Sequence, residues 1–182
     1  MTLNKKELVL SAMTFIDPET GWFEIVEIPD KKSGTLSQLL EQVWLTRYPR
    51  PSKIIFDNGT EFKKDFRYII DDFGIKPTPT SVKNPQANSV LERVHKVLTN
   101  MLRSKNIKRL DLNPDDPWIE ILSSVGYAIR STYHTTLGAT PAQIIYGRDM
   151  VNPVTYIAEW DVIRKNKEKS IQKSNERENK IG

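Results

Sequence analysis

"IIFDNGTEF", residues 54–62, is the stretch on which the reading of the chain turns. Ile54, Ile55 and Phe56 form a short apolar run of the kind that makes a buried strand. The run stops on Asp57 and turns at Asn58-Gly59. Turn chemistry accounts for such a stop: Asp and Asn bond their own backbone and tolerate left-handed geometry, and Gly accepts positive φ. A second reading makes Asp57 a metal ligand at the end of a strand, and it requires another carboxylate from elsewhere in the chain.

Composition limits what that metal can be. The chain has 182 residues and no cysteine, so it has neither disulfides nor thiolate ligands. His95 and His134 are its two histidines, too few for a histidine-based zinc site. A cation bound here is therefore expected to be hard and oxygen-liganded. No apolar run reaches the roughly 18 residues of a membrane span, and "MTLNKKELVL" has no signal-peptide pattern. The net charge of +4 sits at one end. From Arg164 onward the chain carries seven Lys/Arg and three Glu, and the remainder is balanced. Two readings of this tail stand, a solvated helix or disordered segment and an electrostatic attractor for nucleic acid.

Working outward from residue 54, strands and helices alternate. "LVLSAMTFI" (8–16) and "WFEIVEI" (22–28) read as strands joined by the turn "DPETG", in which Asp17 is a turn former. Leu36, Leu39, Leu40, Val43 and Trp44 fall at i, i+3, i+4, i+7 and i+8, which predicts a helix over 35–48 with a capping box from Thr35 and Gln38. After the strand at 53–56, Phe62, Phe66, Ile69, Ile70 and Phe73 predict a helix over 61–73 that Gly74 terminates. "GIKPTPT" reads as a short strand entering a Pro-rich loop. Trp118, Ile119, Leu122, Val125 and Ile129 predict a further helix.

The second carboxylate comes from "KNPQANSVLERVHKVLTNMLRS". Pro85 interrupts the chain, and Asn88 or Ser89 can cap a helix over 88–104 whose buried stripe is Val90, Leu91, Val94, Val97, Leu98, Met101 and Leu102. Glu92 lies off that stripe, near the helix N-terminus. Asn88, Glu92, Lys96 and Thr99 share one face. An acid in that place also complements the helix dipole without any catalytic role, and a Glu–Lys pair at i, i+4 is an ordinary surface motif.

The ordered set of motifs resembles the catalytic core of retroviral and retrotransposon integrases, most closely the gypsy-type LTR retrotransposon branch. It comprises D-N-G after a buried strand, N-P-Q-A-N, a Glu early in the next helix, and "STYHTTLGATPAQIIYGRDM" at 131–150 with a helix starting at the Pro. "MTFIDPETGWFEIVEIP" is similar to the family's second and third strands. The resemblance covers residues 1–155, leaving 156–182 as a charged tail, helical or disordered. Thirty-four residues separate Asp57 from Glu92, one fewer than the retroviral pattern.

The resemblance implies an α/β, RNase H-like fold with a mixed sheet of four or fewer strands flanked by helices. It implies phosphoryl transfer on DNA, which includes 3'-end processing and strand transfer. That chemistry needs positioning and charge neutralisation more than covalent help, and two divalent ions about 3.5–4 Å apart supply it. Asp57 and Glu92 then correspond to the second Asp and the Glu of the family's three acids and hold Mg²⁺ or Mn²⁺. Asn58, Lys83, Gln86, Asn88, Arg93 and Lys96 are the residues suited to DNA contacts.

The first Asp of the pattern belongs on a strand before "LVLSAMTFI", in the centre of the sheet, and no acid precedes Glu7 here. The expectation is a core lacking that first strand, with weak metal binding and no activity by itself. DNA and a second copy of the core are the implied partners, with no membrane. The implied location is intracellular, in the nucleus of a eukaryotic host. Two function classes fit: the integrase core segment of a longer polyprotein, and a non-catalytic nucleic-acid-binding or dimerisation remnant. An RNase H-type nuclease shares the acids but lacks the N-P-Q-A-N loop and the downstream motif.

Overall fold

The computed structural model describes residues 2–3, 6–7, 11–56, 59–79, 96, 99–100, 117–152 and 155–178. The described elements are β1 (Thr2–Leu3), β2 (Lys6–Glu7), β3 (Ala12–Ile16), β4 (Phe23–Glu27), α1 (Ser33–Leu40), β5 (Lys53–Phe56), α2 (Asp65–Asp72), β6 (Lys76–Pro79), α3 (Pro117–Ser131), α4 (Pro141–Tyr146) and α5 (Trp160–Glu178). Residues Lys96, Thr99 and Asn100 are helical, and the rest of the helix expected over 88–104 lies outside the described residues. The chain divides into two compact units. One comprises Met1–Phe15 with Glu24–Val125, and the other Ile16–Phe23 with Gly126–Gly182.

Among the described residues, strands form three separate pairs. β1 and β2 pair antiparallel, with Thr2 opposite Glu7 and Leu3 opposite Lys6. β3 and β4 pair as expected for 8–16 and 22–28. The amide of Ile28 donates to Ser11 C=O at one end and that of Asp17 to Trp22 C=O at the other, each at 2.9 Å. β5 and β6 run parallel, with Lys53 opposite Lys76 and Phe56 opposite Pro79. A parallel pair needs a crossover, and α2 is that crossover.

The core of the first unit joins Met13 of β3, Leu36 and Leu40 of α1, Phe56 of β5, Phe66 and Ile70 of α2, and Ile75. α2 ends as Gly74 predicts. Gly74 has φ +66°, its amide bonds Asp71 C=O, and the amide of Ile75 bonds Ile70 C=O, each at 2.9 Å. These two bonds make a Schellman ending, and the accompanying apolar contact is Ile70 with Ile75.

Four local expectations are corrected. The Thr35–Gln38 capping box does not form, because α1 starts earlier, at Ser33, and the Thr35 hydroxyl instead donates to the Asp30 carboxylate at 2.6 Å. The helix also does not continue regularly to 48. Glu41–Leu45 forms a π turn in which both the amide and the hydroxyl of Thr46 bond Glu41 C=O at 3.0 Å. The helix expected over 61–73 is split. Thr60–Phe62 is a 3₁₀ turn, and Lys64, at φ +49°, separates it from α2. On α3, Leu122 and Val125 face the core, but Ile119 is 57% exposed and Ile121 takes the inward place.

In the second unit, α4 starts at Pro141 with a true capping box. The Thr140 hydroxyl accepts from the Gln143 amide at 3.0 Å, and the Gln143 side chain accepts from the Thr140 amide at 2.8 Å. Its core is Leu137, Ala139, Ile144 and Ile163, packed by Tyr156 and Ala158. The tip of the β3–β4 hairpin belongs to this unit. Trp22 there lies under the Arg130 guanidinium, 5.2 Å from its ring centre, and edge-on to Tyr146. α5 docks through buried Ile163 and through Lys167, whose ammonium bonds Pro18 C=O at 3.0 Å and the backbone of Glu19, and pairs with the Glu19 carboxylate at 3.4 Å.

Candidate active site

β5 exists because Ile54 and Phe56 turn one side of the strand to the core while Lys53 and Ile55 face outward. Because β5 and β6 are parallel, both end at the same edge of the pair, at Phe56 and Pro79. In α/β units that edge is where sites form. Asp57 is the next residue in the chain after Phe56.

The Phe56 ring is fixed from several sides. Phe62 and Phe66 pack on it with ring centres 5.6 and 5.5 Å away, and the Arg67 guanidinium lies over it at 5.4 Å. The strand end that leads to Asp57 is therefore closely packed on its inner side. The hydroxyl of Ser33 on α1 ties down the start of α2, donating to Lys63 C=O and accepting from the Phe66 amide at 3.1 Å.

Asp57, Asn58, Lys83, Gln86, Asn88, Glu92 and Arg93 lie outside the described residues. Lys96 is described, and it is helical and exposed. Asp17 does what a turn former does: its carboxylate accepts from the amides of Glu19 and Thr20 at 3.0 and 3.3 Å and from the Thr20 hydroxyl at 2.6 Å. Among the described residues no three His, Asp or Glu cluster as a metal site would require. The carboxylates with displaced pKa values are structural. The Thr35 hydroxyl and Lys32 hold Asp30 down to about 2, and the amides of Asn152 and Val151 hold Asp149 below its ordinary value. Burial raises Tyr156, with Glu159 and Tyr133 adding to it.

The pairing of Arg67 with Phe56 spans two elements, and no local spacing in the sequence signals it.

No protein-family model matches the chain. The Gag-Pol polyprotein of walleye dermal sarcoma virus is 26% identical over 149 residues, which is 81% of this chain and 8% of that polyprotein. The chain thus spans less than a tenth of that relative. The catalytic core domain of BIV integrase superposes with a TM-score of 0.59 at 21% identity, over 79% of this chain and 87% of that one. The fold is that of a retroviral integrase catalytic core. The HTLV-2 integrase catalytic core domain, in complex with magnesium in a trimeric form, matches with a TM-score of 0.58 at 18% identity over 79% and 88% of the two chains. A chain of the simian T-cell lymphotropic virus intasome, solved in complex with the PP2A regulatory subunit B56 gamma, gives 0.63 at 20% identity over 82% and 52%. The integrase-core fold is RNase H-like. The α/β expectation therefore holds, with the hairpin β3–β4 and the crossover β5–α2–β6 as its strand-bearing parts. Among the described residues no helix is long and apolar enough to cross a membrane.

Proposed function

We propose that this chain is the catalytic-core segment of a gypsy-type LTR retrotransposon integrase and serves DNA integration, with its core at 1–155. The observation that carries the reading is the parallel β5–α2–β6 unit, which ends β5 immediately before Asp57 in an integrase-core fold. In this reading Asp57 and Glu92 hold Mg²⁺ or Mn²⁺. The oxygen-only donor set suits such an ion, as does the absence of cysteine. When bound, the ion neutralises the charge that builds on the phosphoryl oxygens. The chain's own side chains orient the DNA: Asn58, Gln86 and Asn88 as amide contacts, Lys83, Arg93 and Lys96 as phosphate contacts. Self-association through the core and action in the nucleus of a eukaryotic host belong to the same proposal.

The sheet supports a further part of the reading. β3–β4 and β5–β6 share one core, yet no hydrogen-bond ladder joins them among the described residues. An added strand between β3 and β5 would bond both, and we place the third acid of the site on such a strand.

The test is Mg²⁺- or Mn²⁺-dependent strand transfer, measured on residues 1–182 and on the same chain preceded by an Asp-bearing strand. The expected result is little joining by the first and clear joining by the second, lost again in Asp57→Asn and Glu92→Gln. Loss by orders of magnitude is the scale for removing charge stabilisation. Robust joining by residues 1–182 alone would refute the three-acid placement. DNA binding without joining in both forms would instead identify a non-catalytic nucleic-acid-binding module.

A further inference from the structure

We infer that Arg67 grips the phosphate backbone of the nucleic acid where it crosses the end of β5. This rests on the proposed role of Asp57, but its own observation is separate: a guanidinium lies over a packed aromatic ring and has no acidic partner among the described residues. Arg67 is the third residue of α2, and its Cζ lies 5.4 Å from the centre of the Phe56 ring. That ring cannot follow a moving guanidinium, because Phe62 and Phe66 pack on it and lie 5.0 Å from each other.

Stacking occupies the face of a guanidinium and leaves its N–H edges for acceptors in its own plane. Among the described residues no carboxylate takes them. Among the described residues neither ion pair, Lys32 with Asp30 or Lys167 with Glu19, involves Arg67, and Asp71, one turn beyond it, stays exposed. From Gly59 to Arg67 the chain carries Lys63, Lys64 and Arg67 against Glu61 and Asp65, and both lysines are exposed. A pre-oriented fork of donors beside two lysines fits a phosphodiester, whose two non-bridging oxygens take a guanidinium edge in bidentate fashion. A purely structural Arg67 would only cover Phe56, and a methionine of similar length would do that equally well.

The experiment uses the full chain and a random-sequence DNA duplex, with fluorescence anisotropy across a KCl series and thermal melting of each variant. Arg67→Gln and Arg67→Met are expected to weaken binding by about tenfold, the scale of a charge-assisted hydrogen-bonded contact. The log–log salt slope should become shallower by roughly 0.9, one phosphate contact. Arg67→Lys should keep the slope and lose part of the affinity, since a lysine supplies the charge without the fork. Melting of Arg67→Met should stay at the wild-type temperature. Wild-type affinity and slope in Arg67→Met would overturn the inference, and so would a binding loss that merely tracks a fall in melting temperature. Manganese binding, read by electron paramagnetic resonance, separates this from the metal reading. Asp57→Asn should lose Mn²⁺ and keep duplex affinity. If it keeps Mn²⁺, the metal reading fails and the Arg67 result stands on the anisotropy alone.

Discussion

If the C-terminal helix attracts nucleic acid as proposed for its charge, replacing Lys165, Lys169 and Lys173 together with glutamine should remove most of its salt-sensitive DNA binding without loosening the fold. The three lie at i, i+4 and i+8 on α5, all exposed, about 6 Å apart along the axis. Ile163 and Lys167 dock the helix, so they must be left intact. Deleting residues 164–182 outright would remove the Lys167 contacts and confuse anchoring with charge. On duplex DNA each neutralised phosphate contributes roughly 0.9 to the log–log slope, so three contacts contribute about 2.7. Between 50 and 200 mM salt, one contact costs about 3.5-fold in affinity and three cost about 40-fold. Anisotropy with specific and random duplexes across that range measures both quantities. A triple variant that keeps the wild-type slope would show that the stripe is only a solvated face. A variant that loses affinity for one duplex alone would refute the backbone-contact reasoning, because phosphate contacts carry no sequence information.

Four other outcomes follow from the local structure. Thr140→Ala, which breaks the capping box of α4, should cost about 1 kcal/mol in urea unfolding, and Thr140→Ser should restore most of it. Gly74→Ala should cost about 1–2 kcal/mol from its left-handed backbone alone, since an added Cβ meets nothing within 4 Å. Gly21→Ala should cost more, because its φ is +74° and the added Cβ would lie 3.1 Å from the Leu137 side chain; equal losses would show that the hairpin tip yields. The Asp30 carboxyl is depressed, so the stability it adds is present above the ordinary Asp range and disappears as pH falls through about 2. Thr35→Val should raise that pKa toward the ordinary value in an NMR titration, and an unchanged value would show that Lys32 alone holds it.

What could be read from sequence followed the range of the interactions. The strand at 53–56 and the ending of α2 rest on apolar run length and on one glycine, and both are local. The start of α1 was misplaced by a rival acceptor: the Asp30 carboxylate takes the Thr35 hydroxyl that the capping box would have used. The break at Lys64 was also illegible, since nothing in a lysine announces φ +49°. Its cause is tertiary, because Ser33 of α1 bonds both Lys63 C=O and the Phe66 amide and so fixes where α2 may begin. Ile119 and Ile121 exchanged roles because the apolar stripe of α3 contains more candidates than the core accepts. Of the candidate site, Lys96 was correctly placed on a helix, and the supporting ring of Phe56, Phe62, Phe66 and Arg67 emerges only from packing.

That support bears on how a strand-end acid in this fold is positioned. A carboxylate that shares metal with another side chain must hold its place to within about 0.5 Å, and a strand paired on one side alone is a poor anchor. β5 has one described ladder, to β6. Its remaining rigidity comes from below, through Phe56 locked between two phenylalanines, and through α2, whose first turn Ser33 holds to α1. A strand added beside β5 would supply the second ladder. This makes Ser33→Ala informative about the site as well as the fold. The variant leaves the Phe66 amide without its hydroxyl partner, at a cost of about 1 kcal/mol. If α2 is the anchor of the strand end, amide exchange at Ile54–Phe56 should rise along with that at Phe66–Tyr68. Added protection from a neighbouring strand should suppress the first rise and leave the second. Exchange that rises only within α2 would mean that β5 is held by its ladder and core contacts alone.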